Sequence, residues 1–197
     1  MPFSDSKSEP YEWAASMAAT IAREAQEPFR PFQTLELLGV SAPKTPYRTI
    51  ERLKLNGLGL STFTTTSGKV FIDYLISTYR YLESDTEVDD DSYSDVNTMM
   101  ILSAFRYGLI RHIKKKFPRH GLAKSGFYDG PVVSPDSLKP VIIAFHKAYV
   151  RRYFFEENSF ETSLDIKAVG NKKLEVSMYP LVMGQFRRAE MTVRFEL

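Results

Sequence analysis

The sequence predicts an α+β protein in which helices pack against an antiparallel sheet. Two changes of hydrophobic period carry that expectation. Between Asp95 and Phe117 the apolar residues Met99, Leu102, Phe105, Leu109 and Ile113 recur every three or four positions, the spacing of one helix face. Between Leu164 and Met178 the period falls to two, with Leu164, Ile166, Ala168, Leu174, Val176 and Met178 alternating with polar residues around a Gly170-Asn171 turn, as in a half-buried hairpin. A length of 197 residues with 43% hydrophobic content suits one well-buried core and is short for two. The expected organisation is a single globular domain over residues 47–197, preceded by an N-terminal arm over residues 1–46.

Taken in order, residues 1–10 are polar and Ser-rich, and Tyr11 to Glu27 reads as a short amphipathic helix with Trp13, Met17 and Ile21 every fourth position. Pro28, Pro31, Pro43 and Pro46 then interrupt any regular element, because each lacks a backbone donor and fixes its own φ. Ile50, Leu53, Leu55, Leu58 and Leu60 predict one or two strands within Tyr47–Thr66, with Asn56-Gly57 as a turn or bulge. Ser67 is a candidate cap for a helix over Lys69–Leu82, with Phe71, Leu75 and Tyr79 on one stripe and Ile72 and Ile76 beside it, although the β-branched residues leave a strand open. Asp95 caps the helix that Pro118 ends. A Gly/Pro-rich loop over Arg119–Pro135 leads to a third helix, where Ser137 and Pro140 sit at a tolerant start before Val141, Ile142, Phe145 and Tyr149. Met191, Val193 and Phe195 predict a closing strand after the hairpin.

Composition narrows the function. Cysteine is absent, which excludes disulfides, zinc-thiolate sites and thiol nucleophiles, and fits an intracellular setting. No run approaches the ~18 to 20 consecutive apolar residues of a membrane span, and Met1 to Ala25 lacks the pattern of a signal peptide, so membrane contact is expected to be peripheral. The net charge is only +2, yet the charges are sorted along the chain. Glu83, Asp85, Glu87, Asp89, Asp90, Asp91 and Asp95 have no Lys or Arg among them, whereas Arg106, Arg111, Lys114, Lys115, Lys116, Arg119 and Lys124 follow with no carboxylate between. Opposed patches of this kind suit self-association or docking on polyanions better than small-molecule chemistry.

Arg111, Lys114 and Lys115 fall at i, i+3 and i+4, hence on one helix face, and Lys116, Arg119 and Lys124 extend the cluster. An anionic leaflet would gain ~1 kcal/mol per cation, and single-stranded RNA about −0.7 in salt slope per contacted phosphate. The competing reading is that cations at a helix C-terminus complement the macrodipole. Asp89, Asp90 and Asp91 would serve self-association by meeting the basic cluster of a neighbouring copy head to tail. Trp13, Met17 and Ile21 could dock on a partner or fold back on their own core. Neither metal nor cofactor is implied: the acidic run lacks the Gly and terminal Glu of a calcium loop, and Phe63 and Val70 break a phosphate-loop pattern around Ser67-Gly68-Lys69. His112, His120 and His146 have neither metal-ligand spacing nor a Gly-x-Ser-x-Gly partner, so no catalytic residue is assigned.

The predicted order of strand, two helices, long loop and hairpin resembles the globular domain of rhabdovirus matrix proteins over residues 48–183. It does so most closely at Leu53-Lys54-Leu55-Asn56-Gly57 and from Ser163-Leu164-Asp165-Ile166-Lys167 through Leu174-Glu175-Val176-Ser177-Met178-Tyr179. The resemblance implies a viral structural protein that self-associates, condenses the ribonucleoprotein, lines the envelope and drives budding. Its implied partners are further copies, the nucleocapsid and its RNA, the anionic membrane and the envelope glycoprotein. Its implied location is the virion between envelope and nucleocapsid, and the host cytoplasm and inner membrane face. The family's Lys-rich N-terminus is reduced here to Lys7, and in place of its Pro-Pro-x-Tyr peptide stand only Glu9-Pro10-Tyr11 and Thr45-Pro46-Tyr47. An RNA-binding protein without a matrix role is the main alternative, and a small enzyme using His112 or His146 the more distant one.

Overall fold

A computed structural model describes residues 5–27, 29–79, 93–152, 160–186, 189 and 191–194. It has the expected α+β class, with an antiparallel three-stranded sheet, an antiparallel hairpin and one short parallel pair, and divides into two compact units, Met1–Pro118 and Arg119–Leu197.

In the first unit, helix α1 (Pro10–Glu24) begins where Glu12 accepts the Glu9 N–H at 2.8 Å, in reciprocal capping. Strand β1 (Glu36–Leu37) is followed by helix α2 (Thr49–Gly57), strand β2 (Thr62–Thr66), strand β3 (Lys69–Tyr74) and helix α3 (Val96–Lys116). The three strands form an antiparallel sheet in the order β1-β3-β2. Of the one or two strands expected within Tyr47–Thr66, β2 is present, but Thr49–Gly57 is the helix α2: Arg48 N–H donates to Glu51 at 2.7 Å, so Glu51 closes the first turn, and most of the residues after it are good helix formers. The expected helix over Lys69–Leu82 is instead β3 as far as Tyr74. Ser67 and Gly68 take φ of 53° and 75°, the two positive values that a type I′ hairpin turn requires, so Ser67 turns the chain rather than capping a helix. Val70 and Ile72 are then buried two residues apart, and the fourfold spacing of Phe71, Leu75 and Tyr79 is incidental.

The core of this unit joins Trp13 of α1 to Phe32, Leu37, Phe63, Val70, Ile72 and Leu75, with Met17, Ile21, Val96 and Met100 packed against it. Trp13 is wholly enclosed and its ring lies 4.4 Å from that of Phe63. Asn97 ties the proline-rich segment to α3, its amide oxygen accepting the Phe32 N–H at 3.3 Å and its amide NH₂ donating to the Arg30 carbonyl at 3.1 Å. Asp95 caps α3 as expected, accepting the Asn97 N–H at 2.9 Å. Asp95→Ala should cost about 1 kcal/mol in urea unfolding and Asp95→Asn far less, because the cap needs an oxygen acceptor rather than a charge.

In the second unit, β4 (Gly121–Leu122) pairs in parallel with β5 (Val132–Val133). Helix α4 (Pro135–Arg152) starts earlier than Ser137 because Ser134 and Ser137 cap each other. The Ser134 N–H donates to the Ser137 hydroxyl at 2.9 Å, and the Ser137 N–H to the Ser134 hydroxyl at 3.1 Å. Leu138, Val141, Ile142 and His146 form the buried stripe of α4, and α5 (Phe160–Ser163) brings Phe160 against His146 with ring centroids 3.7 Å apart. The hairpin appears as expected, β6 (Asp165–Val169) pairing with β7 (Lys173–Ser177). The closing strand does not: residues 191–194 belong to no strand, and Phe195 lies outside the described residues.

Candidate assembly surface

Helix α3 keeps two faces apart. Asn97, Ile101, Phe105 and Leu109, four residues apart, are buried, which leaves Arg111, Lys114, Lys115 and Lys116 exposed over the last two turns. None of these four pairs with a carboxylate among the described residues, so their charge is available at the surface. Arg119 and Lys124 are likewise exposed, in the second unit.

The other candidate residues fare differently. Trp13 is 0% exposed, and Met17 and Ile21 pack on the same core, so all three are engaged by their own chain. Asp89, Asp90 and Asp91 lie outside the described residues. His146 is buried, and burial holds its pKa below the ordinary value. Among the described residues no group of three His, Cys, Asp or Glu side chains could hold a metal ion, and no helix is long and apolar enough to cross a membrane.

Two surfaces escaped the sequence reading. The first is α2, which buries no residue at all. Its inner side is held by polar contacts: the Arg52 guanidinium pairs with Asp73 of β3 at 2.8 Å and donates to the Tyr47 carbonyl, also at 2.8 Å. Thr62 bridges Asp73 and Asn56 at 3.1 and 3.0 Å. Ile50 and Leu53, at i and i+3, are left 69% and 51% exposed, with Leu58 beyond them at 70%. Read at helical spacing, this apolar pair with a Glu at the third position would have revealed the face.

The second is the loop between β4 and β5. The Gly121 N–H donates to the Pro131 carbonyl at 2.7 Å and the Ala123 N–H to the Val133 carbonyl at 2.9 Å. Further along, the Gly126 N–H donates to the Asp136 carboxylate and the Ser134 hydroxyl to the Gly126 carbonyl. Gly130, at φ 119°, makes a bend that side-chain-bearing residues rarely adopt. The backbone is thus tied down, yet Phe127 and Tyr128 stand 76% and 55% exposed.

The fold recurs in sheath assemblies. The backbone matches a chain of the anti-feeding prophage baseplate with a TM-score of 0.59 at 13% identity, covering 92% of this chain and 49% of that one. It matches the anti-feeding prophage helical sheath in its contracted state with a TM-score of 0.54 at 12% identity, covering 89% and 49%. The sheath tail protein of Desulfitobacterium hafniense gives 0.50 at 11% identity, covering 79% and 37%. In sequence, the chain is 30% identical over 197 residues to the Mu-like prophage FluMu tail sheath protein of Haemophilus influenzae, covering 95% of this chain. The chain spans 40% of the length of that curated relative. No family model matches.

These findings overturn the matrix-protein resemblance. The order of elements on which it rested is also absent, because residues 49–57 form a helix and residues 69–74 a strand. Ribonucleoprotein condensation, envelope lining, budding and a place between envelope and nucleocapsid all fall with it, since the relatives are named as components of tail sheaths and a baseplate. RNA, membrane and glycoprotein partners lose their support for the same reason.

Proposed function

We propose that this chain is a structural, non-catalytic part of a phage-type tail sheath, in which identical copies join by repeated contacts into a helical tube. The observation that carries the reading is the 30% identity to a tail sheath protein across nearly the whole chain, supported by the shared backbone fold. Self-association, expected from the sorting of charge along the sequence, belongs to the same picture. The exposed cations at the end of α3 would contribute through attraction to an acidic surface of a neighbouring subunit, a contribution weakened by salt.

The purified protein should therefore form assemblies that grow with concentration in sedimentation velocity and appear as rods or stacked rings in negative-stain micrographs. Lys114→Glu combined with Lys115→Glu should raise the concentration needed for assembly without changing the circular dichroism spectrum. A protein that remains monomeric at every concentration and salt tested would sink the sheath reading. Assembly indifferent to the charge reversal would remove only the role given to α3.

A further inference from the structure

The sheath reading does not say which surfaces join one copy to the next, and the inference that follows rests on that reading. The loop between β4 and β5 combines a backbone fixed by hydrogen bonds with two large aromatic side chains left in water. A loop whose base and Gly126 are already tied down has less conformational freedom to lose on docking, and aromatic anchors are enriched where protein contacts concentrate their energy.

Its size limits what it can do alone. Two aromatic side chains bury about 150–250 Å² each, whereas a free-standing interface needs about 800 Å² per partner. The loop is therefore suited to anchoring one part of a larger, repeated contact and is too small to hold an isolated dimer.

Helix α2 supplies the complementary surface. Helix α3 has a buried stripe, though it leaves Tyr107 and Ile110 69% and 45% exposed, whereas α2 buries none of its residues, and among the described residues none covers Ile50, Leu53 and Leu58 on its outer side. Arg52 and Asp73 hold the helix in place and leave that side open. The charges beside the two patches differ in balance: exposed Asp129 follows Tyr128 in the loop, and on the helix exposed Arg48 and Lys54 outnumber exposed Glu51, whose carboxylate accepts the Arg48 N–H. A contact between two unlike surfaces leaves one of each unused at the ends and so adds further copies into a ring or a helical filament, whereas a loop-to-loop contact would close at a dimer. We infer that Phe127 and Tyr128 of one copy dock on the Ile50, Leu53 and Leu58 face of α2 in a neighbouring copy of this chain.

The natural absence of cysteine allows a clean test. Leu53→Cys and Tyr128→Cys proteins would be prepared separately, mixed under assembly conditions and treated with a short bismaleimide. The mixture should give several-fold more cross-linked dimer than either variant alone or than Tyr128→Cys mixed with Thr66→Cys, and adding Phe127→Ala to the Tyr128→Cys protein should abolish the excess. Polymers in micrographs with no excess over the Thr66→Cys control would overturn the docking while leaving the sheath reading intact. Cross-linking of Tyr128→Cys with itself as strong as in the mixture would replace the proposed contact by loop-to-loop closure. Cross-linking without polymers would keep the contact and sink the sheath, and absence of both would sink both.

Discussion

Trp13→Ala is expected to destabilise the first unit by about 3–5 kcal/mol, a large part of the ~5–15 kcal/mol that holds a typical domain together. The side chain is entirely enclosed, lies 4.4 Å from the Phe63 ring, and has its indole N–H donating to the Ser6 hydroxyl at 3.3 Å. Alanine would leave a cavity between α1 and the sheet and remove the contact through which the N-terminal helix joins the core. Trp13→Phe keeps most of the apolar volume and loses the N–H bond, so its cost should be well below that of alanine. Urea unfolding followed by circular dichroism distinguishes the three proteins. Because Trp13 is the sole tryptophan, the fluorescence of the unsubstituted chain reports on this same unit. A loss under about 1 kcal/mol for alanine would mean that α1 is an adornment of the unit rather than part of its core.

Where the fold was legible in the sequence, one period dominated. The α3 helix, the Asp95 cap and the β6-β7 hairpin all follow from uninterrupted spacing bounded by a recognisable stop, although the buried stripe of α3 runs through Asn97, Ile101, Phe105 and Leu109 and shares only Phe105 and Leu109 with the expected one. Where it was misread, two periods competed over a short segment. Phe71, Leu75 and Tyr79 fit a helix while Val70 and Ile72 fit a strand, and the Ser67-Gly68 turn, whose positive φ values are invisible to hydrophobic spacing, decided for the strand. At Ile50–Leu58 the apolar residues also fit extended structure, although Glu51 closes a helical first turn. The consequence reaches function, since an extended segment around Leu53–Gly57 and a helix over Lys69–Leu82 are part of the matrix-protein resemblance that the tail sheath relatives overturn.

The candidate surfaces were legible only in part. Exposure of the basic end of α3 follows from helical spacing once Phe105 and Leu109 are placed inward. The α2 face and the Phe127-Tyr128 loop break the rule that apolar residues belong inside, so the sequence places Phe127 and Tyr128 in a loop without showing that their rings stay in water. Their exposure is a tertiary fact: α2 is held by the Arg52–Asp73 pair rather than by apolar burial, and the loop by hydrogen bonds to its own base.

Phe160→Ala should cost the second unit about 3–5 kcal/mol and also alter its response to acid. Phe160 is buried and stacks on His146, with ring centroids 3.7 Å apart and planes 7° from parallel, and that burial favours the neutral imidazole. The folded-state pKa of His146 is therefore lowered, and between it and the ordinary value of about 6.5 the unfolded chain binds the additional proton. Stability from this group is complete above the ordinary value and declines as the pH falls below it towards the folded pKa. Glu161 adds a second loss at lower pH, because its hydrogen bond to Lys147 holds its carboxyl below the usual range and that stabilisation disappears as the carboxylate is protonated. Removing the Phe160 ring opens one face of His146 to water, so its pKa should return towards the ordinary value and the decline just below about pH 6.5 should flatten, while the Glu161 step persists. Urea unfolding over a pH series, with an NMR titration of the His146 ring, measures both effects. An acid response near neutrality unchanged in Phe160→Ala would show that the stacked ring is not what keeps His146 neutral.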